Sequence, residues 1–367
     1  MRFSCSQEDL SKGLKIAGRA VASRAVLPIL SNVMLSTGDG RLKLSATDLE
    51  ISINCWIGAT VEEDGATTVP AHTLIDLVNS LPPEQVDLEL DLQTQTLKLS
   101  CARQKAKIKG IDAQEFPIIP TIGTEESLGL PADILCGMIK RAIISASTDE
   151  SGLVLEGIFV QLAEGQLTLA AADGFRLSVC TAQVPSEKSI SAIVPTRSLS
   201  ELARFSGEEP IQVELRENQA IFQTGDVALV SQLIEGNFPD YQQIIPKEYT
   251  TRTAVDTKAF RQACATAYIF AKEAADLVRL TIEQGKMTVS AVCAELGDNV
   301  VELDAQVEGT GIELGLNVTY LLDVLGVIGA EKVVLETTTG ISPVVFKPVG
   351  GGEFVHVIMP LRVSEVR

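Results

Sequence analysis

The chain has 367 residues, enough for two or three domains, and its 46% apolar content excludes a disordered polypeptide. Aromatic residues make up only 4%, so its cores must be built from Leu, Ile, Val and Ala. A net charge of −18, from 30 basic and 48 acidic residues, argues on average against a nucleic-acid partner, but says nothing of where the basic residues sit.

The N-terminus, "MRFSCSQEDL", has no apolar signal core, and no run of about 18 apolar residues follows. Seven cysteines (Cys5, Cys55, Cys101, Cys136, Cys180, Cys264, Cys293) are odd in number and never spaced C-x-x-C. They read as reduced core thiols, not as a disulfide or zinc framework, in a soluble, cytoplasmic protein. The sequon Asn317-Val318-Thr319 is then idle.

From Ser6 the spacing predicts a capped amphipathic helix, with Asp9 at the capping-box position. Leu10, Leu14, Ala17 and Val21 share one side, and Lys12, Lys15 and Arg19 another, with Arg24 in the next loop. "LKLSATDLEISI" from Leu42 predicts a strand, turn and strand. "VPAHTLIDLVNSLP" from Val69 predicts a short strand, a Thr or Ser cap and a helix of about ten residues. "ARQKAKIKG" alternates Arg103, Lys105, Lys107 and Lys109 with Ala106 and Ile108, which fits either an interface strand or a lysine-protected sheet edge.

These elements then recur in order. "VPTRSLSELARFSG" starts at Val194, 125 residues after Val69, and "LNVTYLLDVLGVIG" starts at Leu316, a further 122 on. "LTLAAADGFRLSV" from Leu167 repeats the strand pair at the same interval of 125, and the stretch from Met287 is a looser third copy. An amphipathic helix precedes each copy. The second contributes Lys140 and Arg141, its later helix Arg197 and Arg204, and the third a stripe from Lys258 to Lys272 that includes Arg261. Basic residues at equivalent places, without interleaved aromatics, fit either solvated helix faces or contact with phosphates. The linkers around Thr121–Pro131 and Pro246–Ala254 divide the chain into domains 1–122, 127–246 and 248–367. Each reads as α+β, with helices on one face of an antiparallel sheet.

His72 and His356 read as capping or packing residues, and Asp48 and Asp173, at equivalent repeat positions, as turn residues. No phosphate-binding loop, metal cluster or nucleophile motif is present in the sequence. An enzyme is the disfavoured reading; a three-domain protein-binding scaffold is the other alternative.

The triplication, with "LPILSNVML" (Leu27 to Leu35), "TDLE" (Thr47 to Glu50), "ATTVPA" (Ala66 to Ala71), "ADGFRLSV" (Ala172 to Val179), "NFPDYQQIIP" (Asn237 to Pro246) and "VIMPLR" (Val357 to Arg362), closely resembles the bacterial sliding clamps, the β subunits of DNA polymerase III. The resemblance runs through the whole chain except the tail Val363 to Arg367. It implies three clamp domains per chain and a head-to-tail ring of two chains around duplex DNA. The ring is a non-catalytic processivity factor that needs no cofactor or metal and binds without regard to DNA sequence. The basic residues Lys12, Lys15, Arg19, Arg24, Lys140, Arg141, Arg197 and Arg204 are then DNA-facing.

The same resemblance implies a pocket, between the second and third domains, for short linear peptides of the replicative polymerase, clamp loader and repair proteins. Its members carry over as Leu155, Gly174, Phe175, Arg176 and Leu177, then Pro239, Gln243 and Ile244, and finally Val357, Met359, Pro360, Leu361 and Arg362. Arg176 and Arg362 are expected to take polar or acidic peptide groups at its rim. Phe175, Ala172 and Gln243 depart from the His, Thr and Arg common in the family; the loop Asp149 to Gly152 is not assigned to DNA. Ring closure implies an interface of Arg103, Lys105, Ala106, Lys107 and Ile108 against Ile269, Phe270 and acidic residues near Asp298, Glu302 and Asp304.

Overall fold

The computed structural model describes residues 1–22, 26–123, 127–148, 153–205, 207, 209–350 and 353–362. Arg24, the loop 149–152 and the tail 363–367 lie outside the described residues.

Six helices fall where the apolar spacing places them: α1 (Gln7–Ala17), α2 (Ala71–Ser80), α3 (Ala132–Ile143), α4 (Thr196–Phe205), α5 (Thr257–Ala271) and α6 (Val318–Val327). Ser6 caps α1 as expected, accepting the Asp9 amide at 3.0 Å. The Thr or Ser caps expected for the later helices fail at two of them. Pro70 precedes α2 without a side-chain cap, and Asn317 caps α6 by accepting the Thr319 and Tyr320 amides. The sequon asparagine is thus a structural residue.

The strands pair antiparallel throughout the described residues, and the chain resolves into two compact units: residues 1–133 with 197–233, and residues 134–196 with 234–367. The central repeat contributes to both, because its two halves pair with strands of different neighbours. In the first unit Val227–Gln232 joins Ile51–Gly58, making an eight-stranded sheet beside a five-stranded one. In the second unit Arg176–Gln183 joins Glu353–Ile358 within a twelve-stranded sheet. The unit of repetition and the unit of packing are therefore different.

Cores are aliphatic, as composition requires. Leu42, Leu44 and Ala46 alternate inward on one strand of the first unit, and Leu10, Leu14 and Ala17 of α1 lie on the same sheet, all buried. Gly13 permits that approach: a Cβ there would stand 2.8 Å from Leu44 and 2.9 Å from Ile57. All seven cysteines are free, and all but the half-buried Cys136 are buried. Burial pushes the Cys5 and Cys180 thiols up to about 12, so both stay protonated and inert. Among the described residues no helix is long and apolar enough to cross a membrane.

Candidate functional site

The C-terminal strand builds the candidate site. Val355 pairs with Val179 and Val357 with Leu177, which fixes the strand against the second repeat. Beyond it the Met359 amide donates to the Phe175 carbonyl at 2.8 Å, and the Leu361 amide to Gly315 at 2.8 Å. Leu177, Val179, Val345 and Val357 form a buried floor with Ala170 and Ala172, onto which Leu155, Phe159, Phe238 and Tyr241 pack. Phe159 stacks on Phe238 with ring centroids 5.4 Å apart.

Exposed apolar groups surround this floor. Phe175 is 60% exposed, and Ile244 and Met359 each 40%. Pro239, Gln243 and Arg362 are exposed as well, with Pro360 and Leu361 half-buried. Gln243 does not face outward freely: its amide donates to Asp240 at 2.7 Å. The sequence reading missed Phe159, Phe238 and Tyr241, although three aromatics in so aromatic-poor a chain are themselves a signal.

Arg176 departs from its expected role. Its Nε donates to Asp173 at 2.9 Å, its Nη1 to Asp323 at 2.5 Å, and its guanidinium lies 4.1 Å from the Tyr320 ring centroid. The side chain is only 13% exposed, so it is not a free rim cation. Asp173 shapes the turn that presents Phe175, its Oδ1 accepting the Phe175 and Arg176 amides. That agrees with the turn duty read for it. Gly174, at φ 89°, supplies the left-handed residue this turn requires.

On α1, Lys12 and Lys15 are exposed and form no ion pair among the described residues, and Arg19 is exposed just beyond the helix. Arg19 and Arg204 are both tied to one buried carboxylate, Glu201, at 2.9 and 2.6 Å. Arg197 pairs with Asp48 and donates to the Arg19 carbonyl. Lys140 is exposed on α3, whereas Arg141 turns back so that its guanidinium lies 5.8 Å from the Phe354 ring centroid. The outward expectation for Arg141 is thereby corrected: a buried aromatic of the C-terminal strand draws its stem inward.

Along the five-stranded sheet, Gln104–Lys109 is an unpaired edge. Arg103 lies in the two-residue loop before it, not on the strand, because Cys101 already pairs with Gln104. Lys105 and Lys107 are exposed, Ala106 is half-buried, and Ile108 is buried in its own sheet. Ile269 is 56% exposed on α5 and Phe270 half-buried, so neither is spent on this chain's core. His356 is fully buried, as expected of a packing residue; His72 instead stands exposed in the first turn of α2.

Three models of one family match the chain in order: the N-terminal domain of the DNA polymerase III beta subunit over residues 1–120, its central domain over 129–240 and its C-terminal domain over 242–362. The chain belongs to the DNA polymerase III beta subunit family. The beta sliding clamp of Synechococcus elongatus is 31% identical over 99% of both chains. That of Escherichia coli K12 is 30% identical, over 99% of this chain and 100% of its own. The crystal structure of the Bacillus subtilis DNA polymerase sliding clamp superimposes with a TM-score of 0.95 at 26% identity, covering 99% of this chain and all of that one. A Pseudomonas aeruginosa sliding clamp bound to griselimycin superimposes at 0.92 with 29% identity and the same coverage.

Within this clamp chain the helix-bearing antiparallel domains read from the repeats are present. Sequence reasoning also missed Tyr320 and Asp323, which lie on α6. A signal for the second did exist, since Asp323 stands 122 residues after Glu201 in the repeated helix, and both hold arginines.

Proposed function

We propose that the chain is a sliding clamp: two copies close head to tail into a ring around duplex DNA and hold the replicative polymerase on its template. It acts in the cytoplasm, catalyses nothing and needs no cofactor. The domains are those of the repeats, 1–122, 127–246 and 248–367. Lys12 and Lys15, with Lys140, Arg19, Arg197 and Arg204, face the phosphates, and the apolar floor beneath Phe175, Ile244 and Met359 takes short peptides of the polymerase, clamp loader and repair proteins.

One observation carries ring closure. The chain twice joins the last strand of one sheet to the hairpin of its neighbour: Val227–Gln232 onto Ile51–Gly58, and Glu353–Ile358 onto Arg176–Gln183. A third such join has both halves and no mate. Gln104–Lys109 is a free edge, and residues 297–304 of the strand Gly297–Gly309 pair on one side only.

The register transfers by equivalence. Gln104 follows a two-residue loop as Val227 does, and Met287 corresponds to Leu42. Ser231 opposite Ile51 then becomes Ile108 opposite the partner's Gly297, which sets Lys107 against the partner's Asp298 and Arg103 against the partner's Glu302. Opposite charges meet at both places, and exposed Val300 and Ile269 supply apolar surface for the partner to cover.

Weak phosphate contacts suit a topological tether, because tight ones would stop sliding. The test is retention: the ring stays on nicked circular DNA and leaves once that DNA is linearised. Equal retention on both forms, or none on either, overturns the reading.

A further inference from the structure

Arg176 is where the peptide site would meet an acidic residue, yet its charge is already engaged twice. Asp173 belongs to the same turn and is committed to it: Oδ1 takes two turn amides and Oδ2 takes Arg176 Nε. Asp323 comes from a different element, α6, and reaches Arg176 with one oxygen only. Its Oδ1 has no hydrogen bond among the described residues, and its side chain is 38% exposed. Tyr320, one turn earlier, holds the guanidinium plane from beneath. Two carboxylates against one guanidinium leave the cluster with a net negative charge. Gln243, also exposed at this site, adds no positive charge and is spent on Asp240.

We propose that Asp323 is a specificity-determining residue of the peptide site: by holding Arg176 it withholds that cation from incoming peptides. The site then selects on apolar side chains and gives no advantage to a carboxylate beside them. Arg362, exposed on the C-terminal segment, is the remaining described cation of the assigned site and lies on a different element from Arg176. The contact acts as an internal competitor. A peptide carboxylate gains Arg176 only by displacing Asp323, because a third carboxylate cannot join the two already sharing that partly buried guanidinium without loss. The inference rests on the peptide-site reading above.

The test uses the full chain and two fluorescein-labelled peptides with the same Leu and Phe anchors, differing only by Asp or Asn beside them. Anisotropy titrations give the ratio of their affinities. In the wild-type chain the two bind about equally. In Asp323→Asn the Asp peptide gains about three- to tenfold over the Asn peptide, and the gain fades at high salt. Asp323→Glu keeps the wild-type ratio. Both peptides are read on one preparation, so any unfolded fraction of a variant cancels from the ratio. A ratio unmoved in Asp323→Asn, with normal binding otherwise, overturns the proposal alone. Failure of the wild-type chain to bind either peptide overturns the peptide-site reading and this proposal with it.

Discussion

Asp48 and Asp173, 125 residues apart, close the same turn in the same way. Each Oδ1 accepts the amides two and three residues ahead, and each Oδ2 takes an arginine, Arg197 in one case and Arg176 in the other. What differs is the residue between. Gly174 holds φ 89° and Leu49 holds φ 81°, so the first turn forces a side chain into the left-handed region that the second fills with glycine.

That difference makes a paired prediction. Gly174→Ala is expected to cost about 1–2 kcal/mol of stability, because the new Cβ meets an unfavourable backbone. Leu49→Gly is expected to be neutral or to gain up to about 1 kcal/mol, the relief of strain offsetting the freer unfolded chain. Urea unfolding of the two variants checks both, and a stabilised Gly174→Ala would remove the strain argument.

The basic faces should not contribute equally to DNA binding. Lys12 and Lys15 carry uncompensated charge, whereas Glu201 already neutralises part of Arg19 and Arg204. Replacing both lysines by Ala is expected to lower the slope of log affinity against log salt by about 2 on a short duplex. Arg204→Ala should move it less. Glu201→Gln should steepen it by freeing two guanidiniums. Equal effects from all three would mean that the intramolecular pairing is immaterial.

Much of this was legible in the sequence because repetition converts weak local signals into a strong one. The helices and the paired turns at Asp48 and Asp173 follow from positions that recur. What escaped depends on contacts between distant elements: Asp323 reaching Arg176, Arg141 turning onto Phe354, and Phe159 finding Phe238. Arg103 was misplaced for a different reason, since alternation cannot locate the end of a strand beside a two-residue loop. The repeats also differ at the apolar floor. The floor positions Ala170, Ala172, Leu177 and Val179 correspond to Ser45, Thr47, Ser52 and Asn54 in the first unit. The first two repeats thus share a fold but not an apolar floor at these positions.

Ring closure through the transferred register predicts a charge-swap result. Lys107→Asp places like charges opposite the partner's Asp298 and is expected to raise the dimer dissociation constant about tenfold. Asp298→Lys alone should do the same, and the two together should restore most of the loss. Monomer–dimer ratios across the four proteins, read by sedimentation in the analytical ultracentrifuge, decide it; a double variant as weak as the sum of the singles would refute the register.

The last prediction concerns acid. His356 is fully buried near Phe346 and Phe354, with Nδ1 hydrogen-bonded to Ser178 Oγ at 2.8 Å, which in turn bonds Ser145 Oγ at 2.8 Å. Nε2 has no partner. Burial first, and the charge of Arg176 second, push the imidazole down to about 3. The unfolded chain titrates near its ordinary value of about 6.5, so between those values it binds the extra proton and the folded chain does not. Stability that is complete above pH 6.5 is therefore lost as pH falls toward 3, at about 1 kcal/mol per pH unit below 6. Because His356 pairs with Ser178 across the strands that lead to Met359 and from Phe175, the loss should reach the proposed peptide site before global unfolding. His356→Gln is expected to be less stable at pH 7.5 by about 1–3 kcal/mol, yet to lose less on acidification, so that the two stability curves converge near pH 5. Curves that run parallel from pH 7.5 to 4.5 would show that His356 is not the group that titrates.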